Sequence, residues 1–120
     1  FYFQNLDMSK VTPGAVTTLR QQLSLDVQLP VSDITFYHVP GEQKIITDQA
    51  SIIPAPVKII IEWFGTGERN EIKKFIAEHL EEFLAKSRQN EGWNLVFLDM
   101  PAKAFYFEGE LVTGGTPPLL

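Results

Sequence analysis

The densest apolar run in this chain is Pro56-Val-Lys-Ile-Ile-Ile-Glu-Trp-Phe-Gly65, with a proline and a glycine punctuating its ends. β-Branched and aromatic side chains favour a pleated, packed conformation, and a nearly continuous apolar run predicts a central strand buried on both faces of a sheet. Gly65-Thr-Gly-Glu-Arg-Asn-Glu then breaks the strand and opens a helix predicted over about Glu68 to Arg88. Its core stripe is Ile72, Phe75, Ile76, Leu80, Phe83 and Leu84, while Glu71, Lys74, Glu78, Glu81 and Glu82 point mostly outward. A strand returns at Trp93-Asn-Leu-Val-Phe-Leu-Asp-Met100, which completes a β-α-β unit.

The first third repeats that order. Phe1-Tyr-Phe-Gln-Asn5 is short, aromatic and strand-like. Thr12 is a good N-cap for a helix with Pro13 at its first position, and Val11 and Val16 fall where a hydrophobic staple places them. Val16, Leu19 and Leu23 recur at helical spacing with Thr17, Arg20, Gln21 and Gln22 outward, predicting a helix from Pro13 to Asp26 that Gln28-Leu-Pro30 stops. A strand follows over Ile34-Thr-Phe-Tyr-His-Val39, with Ile34, Phe36 and His38 on one face and Thr35, Tyr37 and Val39 on the other. Right-handed crossovers lay both helices on the same side of one sheet. The expected fold is therefore α+β: tandem β-α-β units forming a four-stranded mixed sheet with two helices on one face, plus short extra strands. Pro40-Gly41-Glu42 is a turn, Lys44-Ile-Ile-Thr47 a short strand or hairpin arm, and Asp48 to Pro56 an ordered connector.

Composition narrows the chemistry. At 120 residues the chain suits one domain. With no cysteine, thiolate zinc, iron–sulfur clusters and thiol catalysis are excluded, and redox chemistry would need a bound cofactor. A net charge of −5 without clustered Lys and Arg argues against a nucleic-acid surface. No apolar run approaches the roughly 20 residues of a membrane span and no leader pattern is seen, so a cytoplasmic protein with no membrane partner is expected. His38 and His79 are the only histidines and lie apart, so no metal site is expected. Gly65-Thr-Gly67 is too short, and lacks the lysine, for a phosphate loop. No cofactor is assigned.

Beyond Met100 the cluster Phe105-Tyr-Phe107 has no obvious place to pack in a monomer whose helices cover one sheet face, and bare apolar faces mark interfaces. Here the sequence resembles the tautomerase superfamily, which includes 4-oxalocrotonate tautomerase and macrophage migration inhibitory factor. Met100-Pro-Ala-Lys-Ala-Phe-Tyr-Phe-Glu-Gly-Glu-Leu111 is similar, without a gap, to the C-terminal segment of the short tautomerases. Phe105 falls on its aromatic and Gly109-Glu110-Leu111 on its closing Gly-Glu-Leu, with Lys103 one place displaced. Pro56 falls where two-unit members begin their second half, and Ile34 to Pro40 with Val57 to Phe64 resemble an uncharacterised bacterial branch.

The resemblance implies one tautomerase-like domain over 1–112, made of a first unit at 1–40, a connector at 41–56, a second unit at 57–100 and an intersubunit segment at 101–112, with a flexible tail at 113–120. It also implies a homotrimer that takes a small carboxylate ligand. The family's base is an N-terminal proline, whose amine a dry pocket keeps neutral near pH 7. The sequence begins at Phe1 and Pro56 is internal, so no catalytic residue is assigned; a proline preceding Phe1 would supply the base. The first strand ends Gln4-Asn-Leu-Asp7 without the family's arginine, leaving Arg69 as the nearest candidate for a carboxylate clamp. Candidate substrate-binding residues are Phe1, Tyr37, Phe64, Arg69 and Phe105. Set beside these are plainer readings: Arg69 as a surface charge at a helix start, Tyr37 as cross-strand packing, Phe64 as core or interface, and Phe105 as interface packing. Two alternatives stay open, a noncatalytic trimeric binding or interaction protein on the same scaffold and a ferredoxin-like β-α-β-β-α-β monomer.

Overall fold

The computed structural model describes residues 1–64, 69–89, 92–100, 106–107 and 110–111. Strand β1 (Tyr2–Gln4) leads through a loop to helix α1 (Pro13–Val27), then to β2 (Tyr37–His38), a β3–β4 ribbon (Lys44–Ile46 and Ile52–Pro54), β5 (Val57–Phe64), α2 (Asn70–Lys86) and β6 (Trp93–Met100). A further short pair, β7 (Tyr106–Phe107) and β8 (Glu110–Leu111), runs antiparallel. The main sheet has the order β2-β1-β5-β6. β1 is parallel to β2 and antiparallel to β5, and β5 is parallel to β6 over eight aligned pairs, from Val57 with Trp93 to Phe64 with Met100. Two β-α-β units thus join back to back into a mixed sheet, as the residue pattern predicts.

Alternation along the strands divides the sheet into a covered and a bare face. Phe3, Val57, Ile59, Ile61 and Trp63 point to the helices and are buried. Against them pack Leu19, Leu23 and Val27 of α1 and Ile76, Leu80, Phe83 and Leu84 of α2. On the opposite face Lys58, Glu62, Asn94 and Leu98 are exposed and Tyr2, Ile60 and Val96 half-buried. The expected burial of the central strand on both faces is therefore not met within one chain: β5 is internal to the sheet, but only one of its faces has a layer over it. Its one-sided covering follows from both crossovers placing their helices on the same side.

α1 begins as its residues dictate. The Thr12 hydroxyl accepts from the Ala15 amide at 3.2 Å, Pro13 occupies the first turn, and Val11 and Val16 both pack against the core. Gln28 ends it in the left-handed region (φ 58°), one residue beyond the expected stop. α2 is shorter than expected at both ends. After Lys86 the Ser87 hydroxyl turns back onto the Phe83 carbonyl at 2.8 Å, and Arg88 takes a positive φ of 50°. Phe75, assigned to the core stripe, is 42% exposed. It lies one position from Ile76, at the margin of a stripe whose centre is Ile76, Leu80, Phe83 and Leu84.

Two other expectations change. The strand over Ile34 to Val39 contracts to Tyr37–His38, because Val31–Asp33 forms a 3-10 turn first. Arg20, expected outward, turns back onto this segment: its guanidinium donates to the Val31 carbonyl at 2.8 Å and to the Ile34 carbonyl at 3.0 Å, satisfying acceptors that lie outside the β1–β2 ladder. Ile34 is buried, but in the turn and not in a strand. The connector Asp48 to Pro56 also contains a strand, β4, so Lys44–Ile46 is one arm of a closed hairpin. Among the described residues no helix is long and apolar enough to cross a membrane.

Candidate functional site at the start of the first strand

β1 is short, and ladder bonds and aromatic contacts hold it in place. The Tyr37 amide donates to the Phe1 carbonyl at 2.8 Å and the Val39 amide to the Phe3 carbonyl at 2.9 Å. Odd positions turn inward: the Phe1 ring meets Phe36 edge-on at 5.5 Å, and Phe3 meets Phe36 at 5.3 Å and Phe83 at 6.2 Å. Even positions turn to the bare face, where Tyr2 stacks on Tyr37 with ring centres 4.9 Å apart and planes 15° from parallel.

The Phe1 nitrogen lies at the edge of this arrangement and donates to the Thr35 carbonyl at 2.9 Å. As an amine it has a pKa lowered from 8.0 because burial strips water from the charged form, with the negative charge of Glu62 pulling the other way. Glu62 also accepts from the Tyr2 hydroxyl, and this bond is the main reason the phenol's pKa is raised above 10.0. A dehydrated nitrogen, a carboxylate and two stacked phenols therefore converge where β1 starts and β5 nears its end. Such a group can hold a neutral amine beside a proton donor and acceptor.

Of the sequence-derived candidates, Phe1 and Tyr37 belong to this region, Phe1 through its backbone nitrogen and Tyr37 through the Tyr2 stack. Phe64 contributes the last backbone position of β5, paired with Met100. Phe105 lies outside the described residues. Arg69 is corrected: it is not a surface charge but 9% exposed, with its guanidinium 5.1 Å from the centre of the Trp63 ring. Trp63 faces the helices, so Arg69 sits on the covered side of the sheet, opposite Tyr2 and Glu62. Beside it Lys73 lies 5.2 Å from the Phe97 ring centre and 3.9 Å from Asp99, which also accepts from the Trp63 indole. Cations over aromatic rings form a seal for the end of the core here.

Tyr2 and Glu62 were missed as candidates. Both sit at even positions on strands, and the register Tyr2 with Ile60 sets Glu62 two residues further along β5, beyond the start of β1. Their signal in the sequence is a lone carboxylate interrupting Ile-Ile-Ile-Glu-Trp-Phe, which only the strand pairing connects to Tyr2. His79 bonds Asp26 across the helices at 2.5 Å, tying α2 to α1 far from this region.

No protein-family model matches the sequence, and no curated protein matches it. Solved structures do match. A domain of unknown function, DUF1904, from Sebaldella termitidis superposes with a TM-score of 0.72 at 21% identity, covering 90% of this chain and 94% of that one. The macrophage migration inhibitory factor from Oncomelania hupensis gives 0.72 at 14% identity over 96% and 97% of the two chains. A fused 4-OT, described as an asymmetric trimer, gives 0.65 at 15% identity over 92% and 94%.

Proposed function

Because the chain has the fold of the tautomerase superfamily, we propose that it is a tautomerase-like homotrimer that moves a proton on a small keto or enol acid. The base in this reading is an N-terminal proline upstream of Phe1. The observation that carries the proposal is the shared fold, with the Tyr2 hydroxyl donating to Glu62 where β1 starts and β5 nears its end. Continued upstream in the same antiparallel register, the chain reaches Glu62 and then Trp63, since Tyr2 aligns with Ile60. A secondary amine there would be neutral near pH 7 and able to take a proton from the carbon beside a carbonyl. Tyr2 and Tyr37 would wall one side of a substrate, and the trimer would close the bare face.

A second reading is a noncatalytic trimeric binding protein on the same scaffold. Arg69 favours it, because the arginine nearest to the clamp position is turned into the covered side under Trp63. The two readings part on one experiment. The terminus of the full-length native protein is read by intact mass and N-terminal sequencing, and phenylpyruvate enol–keto exchange is followed on the same sample. The enzymatic reading expects a free proline and exchange lost on its substitution by alanine. A nonproline terminus, or a free proline with no exchange above the buffer rate, contradicts it.

A further inference from the structure

The bare face of the sheet is layered. The registers that pair Gln4 with Lys58 and Lys58 with Asn94 set these three side chains in one row across β1, β5 and β6. Two residues along, Tyr2, Ile60 and Val96 make a largely apolar row, and Glu62 and Leu98 stand beyond it. Residues aligned on neighbouring strands lie about 5 Å apart and share a face, so Lys58 stands between two amide side chains. Lys58 and Asn94 are exposed and Gln4 is half-buried.

The row is polar but internally unsatisfied. Among the described residues no carboxylate lies within ion-pair distance of Lys58, and none of the three side chains takes part in a hydrogen bond. The acid on this face of β5 is Glu62, four residues on, which at about 3.3 Å per residue is about 13 Å away. Glu62 is engaged by the Tyr2 hydroxyl, and the apolar row lies between it and Lys58.

An ammonium open to water needs no partner. An enclosed one does, because only an opposite charge and hydrogen bonds offset its lost hydration. The trimer of the proposed function closes this face, and so takes water from Lys58 with no carboxylate of its own chain in reach. An anion in the row accepts charge-assisted bonds from the ammonium and further N–H bonds from the Gln4 and Asn94 amides on either side. A carboxylate offers oxygens in one plane, whereas a tetrahedral oxyanion offers them in several directions, which suits three donors set side by side.

We propose that Gln4, Lys58 and Asn94 form a seat for a small tetrahedral oxyanion, phosphate or sulfate, at the end of the sheet away from the candidate site. The seat rests on the self-association included in the proposed function and adds a ligand to it. The occupant is a free ion because the face that holds it is covered in the assembly.

The test uses the full-length protein in potassium chloride at fixed ionic strength, with inorganic phosphate, sulfate or acetate added. Sedimentation velocity reads the assembly and thermal unfolding reads the anion. Wild type is expected to sediment as a trimer whose unfolding midpoint rises with phosphate or sulfate and saturates. Lys58→Met keeps the apolar stem and removes the charge. It is expected to remain a trimer, to melt above wild type without phosphate, and to lose the phosphate-dependent rise. Asn94→Ala, with one donor fewer, is expected to need about tenfold more phosphate for the same rise. A trimeric wild type whose midpoint follows phosphate no more than that of Lys58→Met overturns the seat and leaves the trimer standing. An equal rise with acetate overturns the assignment of a tetrahedral ion, and a monomeric wild type overturns the trimer and the seat together.

Discussion

In the second half of the molecule β5 and β6 run side by side in unbroken register for eight residues, whereas in the first half β1 and β2 share two aligned pairs. The order of elements is the same in both halves, but the first adds polar clamps to a shorter ladder. The second unit rests on packing: Ile59, Ile61, Ile76 and Leu80 are almost wholly removed from water. The first buries Leu19 and Leu23 as fully, and adds side chains that capture backbone carbonyls, Arg20 on Val31 and Ile34 and Asn5 on Gln43 and Ala55. Polar contacts also lock the halves together. Gln89, just beyond α2, exchanges two hydrogen bonds with the Asp7 backbone at 2.8 and 3.0 Å. A β-α-β unit can therefore be specified by ladder and core, or by a short ladder with side-chain clamps.

This contrast can be broken at its strongest point first. Leu80→Ala empties a site with 0% exposure between helix and sheet, and is expected to destabilise the fold by about 2–5 kcal/mol in urea titration. A loss well under about 1 kcal/mol would mean that the second half is not held by packing. Next is Arg20→Met, which keeps much of the apolar stem but abandons two carbonyls. A loss of about 1–3 kcal/mol is expected, with increased amide exchange confined to the segment from Val31 to Tyr37. Exchange rising equally in β5 would show that the clamp is not local to the first half.

Gly14→Ala should act with the opposite sign. It lies in the first turns of α1, where an added Cβ meets no atom within 4 Å, so alanine gains helix propensity without a clash. A stabilisation of about 0.5–1 kcal/mol is expected, read as a higher urea midpoint. The smallest effect belongs to Tyr2→Phe. The Glu62 bond raises the phenol's pKa in the folded chain, so its contribution to stability is complete below about pH 10, the unfolded value, and is lost as pH rises through the folded pKa. Wild type should therefore lose an advantage over Tyr2→Phe as pH rises above 10.0. Parallel stability curves would show that the Tyr2–Glu62 bond contributes nothing.

Much of the scaffold was legible in the sequence. Thr12-Pro13 marked a helix start, the run from Val57 to Phe64 an internal strand, and the repeated strand-helix-strand order the mixed sheet. What escaped depends on tertiary partners. Nothing near Ile34 announces that an arginine from the preceding helix will take its carbonyl. Ile52 to Pro54 contains a proline, which argues against a strand unless it lies at an edge, and it does. The candidate site was half legible. Phe1 and Tyr37 stood out as aromatics on predicted strands, but Glu62 joins them only through antiparallel register. Arg69 reads as surface from its charged neighbours, and only the packing of Trp63 reveals that it is covered.

The central claim is that an N-terminal proline upstream of Phe1 serves as the base. The most direct test is the pH dependence of phenylpyruvate enol–keto exchange catalysed by the full-length protein with its native terminus. The account predicts an exchange rate that rises with pH to a plateau as the prolyl amine gives up its proton, and that is lost when the proline is replaced by alanine. Exchange that survives that replacement, or no exchange over the buffer rate at any pH, would contradict it.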